Sequence, residues 1–106
     1  MSSSPETGVG AVFDALADPT RRHLVEALAG DPATATALSA SLPISRQAVA
    51  KHLDLLGRAG LVERRRHGRE TIFELRTAPL VEASGWIDGV GAEWDERLRR
   101  LRSALS

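Results

Sequence analysis

The basic residues of this chain are concentrated in residues 45–69, where seven arginines and lysines stand against two acids. The whole chain is neutral, with 14 basic and 14 acidic residues, so the other residues carry the compensating negative charge. Such an asymmetry within a neutral protein is typical of a surface that faces phosphate. A run such as Arg64-Arg65-Arg66 is, taken alone, more often a solvated face, so its function depends on the elements that present it.

The first half of this segment has the pattern of an amphipathic helix. Ser45 is a strong N-cap residue, and the apolar residues that follow it predict a helix over about 46–58. These residues share one buried face by spacings of four and three: Val49, Leu53 and Leu56. We expect the opposite face to be exposed, with Arg46, Gln47, Ala50, Lys51 and Asp54 on it.

The residue types on that exposed face suit contact with duplex DNA. Arginine and glutamine form paired hydrogen bonds with guanine and adenine edges, so Arg46 and Gln47 are candidate base contacts. The small side chain of Ala50 allows close approach to a DNA groove, and Lys51 adds a positive charge. Ser45 and the amides of the helix N-terminus form a candidate phosphate site.

The second half of the segment changes to the two-residue period of β-strands. Residues 61–66 and 70–75 predict two strands, joined by a short turn at His67-Gly68-Arg69. Cationic side chains flanking such a turn can reach phosphates or an adjacent minor groove, and Arg65 is expected to face away from its neighbours. The candidate DNA contacts of this hairpin are Arg64, Arg66, His67 and Arg69.

Helix signals on both sides of the segment complete the fold prediction. Apolar spacing predicts a first helix over about 8–17, and Asp18-Pro19 opens a second helix that ends at Gly30. Thr34 caps a third helix of about eight residues, and Pro79 opens a long helix to about 104. The predicted fold is mostly α-helical with one β-hairpin. This order of elements is that of a winged helix-turn-helix, a motif in which the second helix of the pair enters a DNA groove.

The chain length of 106 residues is that of one domain. We expect three parts within it: a disordered leader at 1–7, a DNA-binding core at 8–78 and a dimerisation helix at 79–106. Because the chain has no apolar run long enough for a membrane helix, we expect a soluble protein of the cytoplasm, associated with the nucleoid and not with a membrane.

The composition excludes several chemistries. The absence of cysteine excludes disulfides, a thiolate metal site and a cysteine nucleophile. The chain also lacks a glycine-rich phosphate loop and a nucleophile elbow, so we predict no enzyme activity, no catalytic residue and no cofactor.

Four segments in a fixed order resemble the ArsR family of bacterial winged-helix repressors, over about residues 9–104. They are residues 13–28, 44–53, 55–64 and 66–75, with sequences such as Ile44-Ser-Arg-Gln-Ala-Val-Ala-Lys-His-Leu53. The resemblance implies a homodimer that binds double-stranded operator DNA through the fourth helix and the hairpin. It puts Arg46, Gln47, Lys51 and His52 on the DNA-reading fourth helix and residues 64–69 on the hairpin.

The resemblance also implies that the first and last helices form the dimer interface. The residues expected there are Val9, Val12, Phe13, Leu16, Trp86, Ile87, Val90, Trp94, Leu98 and Leu101. For Trp86 and Trp94, packing in a dimer core is favoured over lining a ligand pocket. Gly85, Gly89 and Gly91 indicate either close approach of a partner helix or a bend.

The chain departs from the metal-binding members of that family. Those proteins use cysteine pairs or Asp, His and Glu on the last helix, whereas this last helix has no histidine. The sequence therefore resembles the metal-independent branch, with no metal site and with any small-molecule effector unknown.

Two functions follow as alternatives. The first is a sequence-specific repressor that binds a palindromic operator as a homodimer. The second is a protein-interaction module or anti-repressor that does not bind DNA, because fold alone does not fix function. His52 also has two interpretations, a DNA contact or a packing or polar contact within the protein.

Overall fold

The computed structural model describes residues 8–105, apart from the side chains of residues 101, 102 and 105. The elements are α1 (Gly8–Leu16), α2 (Pro19–Gly30), α3 (Ala35–Ser39), α4 (Arg46–Arg58), β1 (Val62–His67), β2 (Glu70–Leu75) and α5 (Ala78–Leu105). This is a winged helix-turn-helix with α3 and α4 as the helix pair, and the predicted fold class and element order are confirmed. The predicted leader lies outside the described residues.

Three of the helices begin at side-chain caps that the sequence predicts. Asp18, Thr34 and Ser45 have extended backbones, and their side-chain oxygens accept the backbone N–H three residues further on. Helix α3 is five residues long, shorter than the prediction of about eight. The difference arises because the chain tightens after Ser39, where the Ser41 and Leu42 amides donate to carbonyls only three residues back.

The two strands form an antiparallel hairpin, which we call the wing. In its register, Arg64 lies opposite Phe73, Arg65 opposite Ile72, and His67 opposite Glu70. His67 is therefore the last residue of β1, and the turn is shorter than the predicted one. Gly68 lies in this turn with a φ of 65°, a left-handed conformation that suits glycine.

The wing is attached to the helical body by its second strand. The backbone of Phe73 exchanges two hydrogen bonds, at 3.0 and 2.8 Å, with the backbone of Ala33. Ala33 lies in the segment that connects α2 to α3. At the base of the wing, the Arg76 amide donates to the carbonyl of Leu61, which is fully buried. These contacts fix the position of the wing relative to the helix pair.

The core lies between α1, α2, α4 and the base of the wing. Its most buried side chains are Val12, Leu24, Val49, Leu53, Leu56 and Leu61. The buried face of α4 is the one that the apolar spacing predicts, so the opposite face of that helix is presented to solvent.

Helix α5 packs on the body only through its first turns. Ala83 is buried, whereas every described side chain from residue 84 to residue 100 is exposed. Trp86 makes an edge-to-face contact with Phe13 of α1, with ring centroids 5.6 Å apart. Of the helices in the described part of the chain, none combines the length and apolarity that crossing a membrane requires.

Candidate nucleic-acid interface

Helices α3 and α4 and the wing border one open groove with a volume of about 770 Å³, which we call the basic groove. Three exposed residues of α4 line it, namely Arg46, Gln47 and Ala50. The wing contributes Arg64 and Arg69 to the same groove. The fold thus brings together side chains of α4 and of the wing, which were predicted as DNA contacts from two separate sequence patterns.

At the start of α4, Arg46 and Ser45 are each held by a local contact. The Nη1 of Arg46 lies 3.4 Å from the hydroxyl oxygen of Thr36 on α3. The Ser45 hydroxyl oxygen accepts the Ala48 amide at 3.1 Å, which leaves its own O–H as a donor toward solvent. Both groups are exposed, so each can also donate to a phosphate or a base edge.

Arg64 is the wing residue that is tied most directly to α4. Its Nη2 lies 3.7 Å from Oδ1 of Asp54, and its guanidinium carbon lies 5.6 Å from the Phe73 ring centroid. Asp54 is the only acid of α4, and it also pairs with Arg58 at 3.5 Å. The sequence placed Asp54 on the exposed face of the helix but gave no sign of its pairing with the wing.

The other candidates on the wing and on α4 have separate positions. Arg66, His67 and Lys51 are exposed but are not among the residues that line the basic groove. Arg65 lies on the opposite face of the hairpin, where it pairs with Glu74 at 3.3 Å. The strand alternation therefore divides the wing arginines into two faces, as the sequence predicts.

His52 lies apart from the exposed face of α4. Its side chain is only 25% exposed, with Nδ1 3.5 Å from Nη1 of Arg21 and 3.9 Å from Oδ2 of Asp18. His52 was interpreted from the sequence either as a DNA contact or as a packing or polar contact within the protein. The geometry favours the polar contact within the protein. Asp18 accepts the Arg21 amide at 3.0 Å, and this hydrogen bond, with the charges of His52 and Arg21, lowers the pKa of the Asp18 carboxyl.

The residues assigned to a dimer interface fall into different environments. Five of the large apolar side chains assigned to it from α5 are exposed, and Phe13 of α1 is 37% exposed. These five assigned residues are Trp86, Ile87, Val90, Trp94 and Leu98. Val9 and Leu16 are partly buried against the core, and Val12 is only 1% exposed, so it packs within its own chain. The side chain of Leu101 lies outside those that the structure describes.

Two exposed apolar residues were not assigned to any site from the sequence. Leu55 of α4 is 37% exposed and Val81 of α5 is 67% exposed. Both fall outside the apolar spacings that defined the predicted faces of their helices, so the sequence pattern gave no signal for them.

No candidate metal site is formed by the part of the chain that the structure describes, since no three of its His, Asp or Glu residues converge. Its histidines lie on different elements: His23 is exposed on α2, His52 faces α2 from α4, and His67 ends β1. Because tight transition-metal sites need several converging ligands, the described residues offer none for such an ion.

Comparisons with known proteins point to transcription regulators. A family model described as a helix-turn-helix domain matches residues 16–65. The transcriptional repressor SdpR of Bacillus subtilis is 32% identical over 76 residues, which cover 72% of this chain and 84% of that protein. These relatives confirm the prediction that the chain is not an enzyme.

Solved structures show the same architecture. An ArsR-like transcriptional regulator from Rhodococcus sp. RHA1 superposes with a TM-score of 0.81 at 39% identity, and the match covers 90% of each chain. A homodimeric winged helix-turn-helix DNA-binding domain, Mb0332 from Mycobacterium bovis, matches with a TM-score of 0.65 at 24% identity. That match covers 80% of this chain and 79% of that one, and it shows a shared fold.

Proposed function

Because this chain belongs to the ArsR family of winged helix-turn-helix transcriptional regulators, we propose that it represses transcription by binding a roughly palindromic operator as a homodimer. The observation that carries this proposal is the basic groove, where Arg46 and Gln47 of the helix pair meet Arg64 and Arg69 of the wing. One duplex lying against this surface contacts both elements at once.

In this proposal α4 is the recognition helix. Its N-terminal turn enters the major groove, where Arg46 and Gln47 hydrogen-bond base edges. Ala50 has no side chain beyond Cβ and therefore allows the helix backbone to approach the bases. Ser45 and Lys51 contact the flanking phosphates, which fix the register of the helix on the duplex.

The wing supplies the second set of contacts. Arg64 and Arg69 face the basic groove, and the exposed Arg66 and His67 extend the positive surface toward the turn. Long cationic side chains at such a turn suit phosphates or a narrow minor groove. His52 is not included among the proposed DNA contacts, because its ring faces Asp18 and Arg21.

The homodimer is supported by the exposed apolar side chains of α1 and α5. Phe13, Trp86, Ile87, Val90, Trp94 and Leu98 are all solvent-exposed in the single chain. A contiguous apolar surface of this kind is typical of an interface. A second copy of the chain has the same surface, as a two-fold dimer requires, and the Mycobacterium bovis domain of this fold is described as homodimeric.

A metal-independent mode of binding completes the proposal. The chain has no cysteine, and the described residues bring no three potential ligands together, so DNA binding is expected to need no metal ion.

Selection of duplexes from a random library by the purified protein tests the operator. We expect an inverted repeat whose half-sites are centred about one helical turn, roughly 34–36 Å, apart. The double variant Arg46→Ala, Gln47→Ala is expected to lose the sequence preference while keeping weak, sequence-independent binding. Enrichment of no sequence, or of a single asymmetric half-site, would contradict the proposal.

A further inference from the structure

One guanidinium connects three helices in this structure. Arg21 of α2 donates from Nε to the carbonyl of Ala15 at 2.7 Å and from Nη2 to that of Asp14 at 3.3 Å, at the end of α1. Its third nitrogen, Nη1, lies 3.5 Å from Nδ1 of His52 on α4. Arginine suits this place because its donors form a planar fork with fixed directions.

The carboxylate of Asp18 lies near both Arg21 and His52. Oδ2 of Asp18 lies 3.9 Å from Nδ1 of His52 and accepts the backbone amide of Arg21 at 3.0 Å. His52 and Asp18 are partly exposed, with side-chain exposures of 25% and 34%. Asp18, Arg21 and His52 therefore form one polar cluster at the junction of α1, α2 and α4, on the side of α4 away from its exposed face.

The neighbouring Arg22 is an internal comparison. It also binds the end of α1, donating from Nη1 to the carbonyls of Leu16 at 2.7 Å and Ala17 at 3.2 Å. No hydrogen bond or ion pair between Arg22 and α4 is found among the described residues. Adjacent arginines thus hold α1 in the same way, and only Arg21 extends to α4.

We propose that Arg21 and His52 are positioning residues that fix α4 relative to α1, and thereby set the separation of the two recognition helices in the dimer. The inference rests on the proposed function, because α1 matters here as a helix of the dimer interface. Phe13 of α1 contacts Trp86 of α5, so a continuous set of contacts leads from the exposed apolar face, through α1 and Arg21, to His52.

This arrangement has a consequence for operator choice. Two α4 helices contact successive half-sites only if their separation matches the helical repeat of DNA. A recognition helix that can shift relative to the dimer helices tolerates more than one half-site spacing. Loss of the Arg21–His52 contact is therefore expected to weaken discrimination between spacings more than it weakens binding to non-specific DNA.

The test measures affinity for the selected operator, for the same operator with one base pair added between half-sites, and for non-specific duplex. For Arg21→Ala and His52→Leu we expect operator affinity to fall roughly fivefold to tenfold, with coupled effects in the double variant. We expect both variants to lose most of the preference for the natural spacing. His52→Asn keeps an acceptor near the Nδ1 position and is expected to retain wild-type preference.

Arg22→Ala is the matched control, because it removes similar contacts with α1 without touching His52. It is expected to lower the melting temperature about as much as Arg21→Ala and to leave the spacing preference unchanged. If Arg21→Ala does not fold, Arg21→Lys and the two His52 variants decide the question. Arg21→Lys keeps the charge but loses the fork, so its spacing preference is expected to fall.

Three results would overturn the inference. They are an unchanged spacing preference in Arg21→Lys and His52→Leu, additive losses of operator affinity in the double variant, or an equal loss of spacing preference in Arg21→Ala and Arg22→Ala. These outcomes differ from failure of the proposed function, in which the wild-type chain itself selects no operator.

Discussion

Nη2 of Arg64 lies 3.7 Å from Oδ1 of Asp54, so an arginine of the wing is paired with the only acid of α4. Both side chains are at least half exposed, and an ion pair of this kind contributes only about 0–1 kcal/mol to stability. The ion pair instead orients the Arg64 side chain, whose guanidinium lies over the Phe73 ring and beside the basic groove.

Arg64→Ala and Arg65→Ala are expected to differ, although the residues are adjacent. Arg64 lines the basic groove, whereas Arg65 pairs with Glu74 on the other face of the hairpin. Arg64→Ala should weaken DNA binding and reduce the salt dependence by about one phosphate contact per subunit. Arg65→Ala should leave both unchanged. Equal losses in the two variants, measured by titration of a labelled duplex at several salt concentrations, would argue against the groove as the DNA surface.

Ile87→Glu tests the apolar face of α5. Ile87 is 52% exposed, and a buried carboxylate at a dimer interface is costly because it loses its hydration without gaining a partner. We expect monomers in sedimentation experiments and a loss of operator affinity of roughly 100-fold or more, since the two half-sites are no longer bound together.

Ala92→Glu serves as the control for Ile87→Glu. Ala92 is also exposed but lies five residues further along α5, about 140° around the helix axis. This variant is expected to remain dimeric. A wild-type protein that is already monomeric at micromolar concentration would refute the proposed assembly.

Asp18→Asn tests the electrostatic part of the helix cap. The pKa of Asp18 is lowered in the folded state, chiefly by the hydrogen bond from the Arg21 amide, so the charged carboxylate stabilises the fold above its ordinary pKa of 3.8. That stabilisation is lost as the pH falls from about 5 through the lowered pKa. Asparagine is as good an N-cap but does not titrate.

The comparison is made by urea unfolding between pH 6 and pH 3. We expect the midpoint of the wild type to fall further on acidification than that of Asp18→Asn, because all other acids are common to both proteins. Parallel curves would show that the Asp18 charge contributes nothing to folding.

Metal removal is expected to have no effect on DNA binding. Affinity for the operator should be the same in EDTA and in the presence of zinc or nickel, because the described residues bring no three ligands together. A change in operator affinity of more than about threefold on adding or removing the metal would reveal a metal-responsive site.

Local signals in the sequence predicted the elements well. Asp18, Thr34 and Ser45 cap the helices that they were expected to cap, because capping depends only on residues three positions apart. The two-residue period of the wing likewise separated Arg64 from Arg65.

The contacts between elements were harder to predict, as His52 and Asp54 illustrate. Helical spacing gives the direction of a side chain around its own axis but not which neighbouring helix it meets. His52 contacts Asp18, the N-cap residue of α2, and Arg21 of α2, which is 31 positions away in the sequence. Asp54 contacts Arg64 of the wing, which is 10 positions away. Val12 is a similar case, since its apolar spacing does not distinguish the core of one chain from an interface between two.

The salt dependence of duplex binding by the wild-type protein tests the central claim most directly, because it counts the phosphates that the basic surface neutralises. With about 6–8 phosphates contacted per dimer, the logarithm of the binding constant should fall with the logarithm of salt concentration with a slope of about −5 to −7. A slope near zero would contradict the account, since it would mean that helix α4 and the wing do not lie against the DNA backbone.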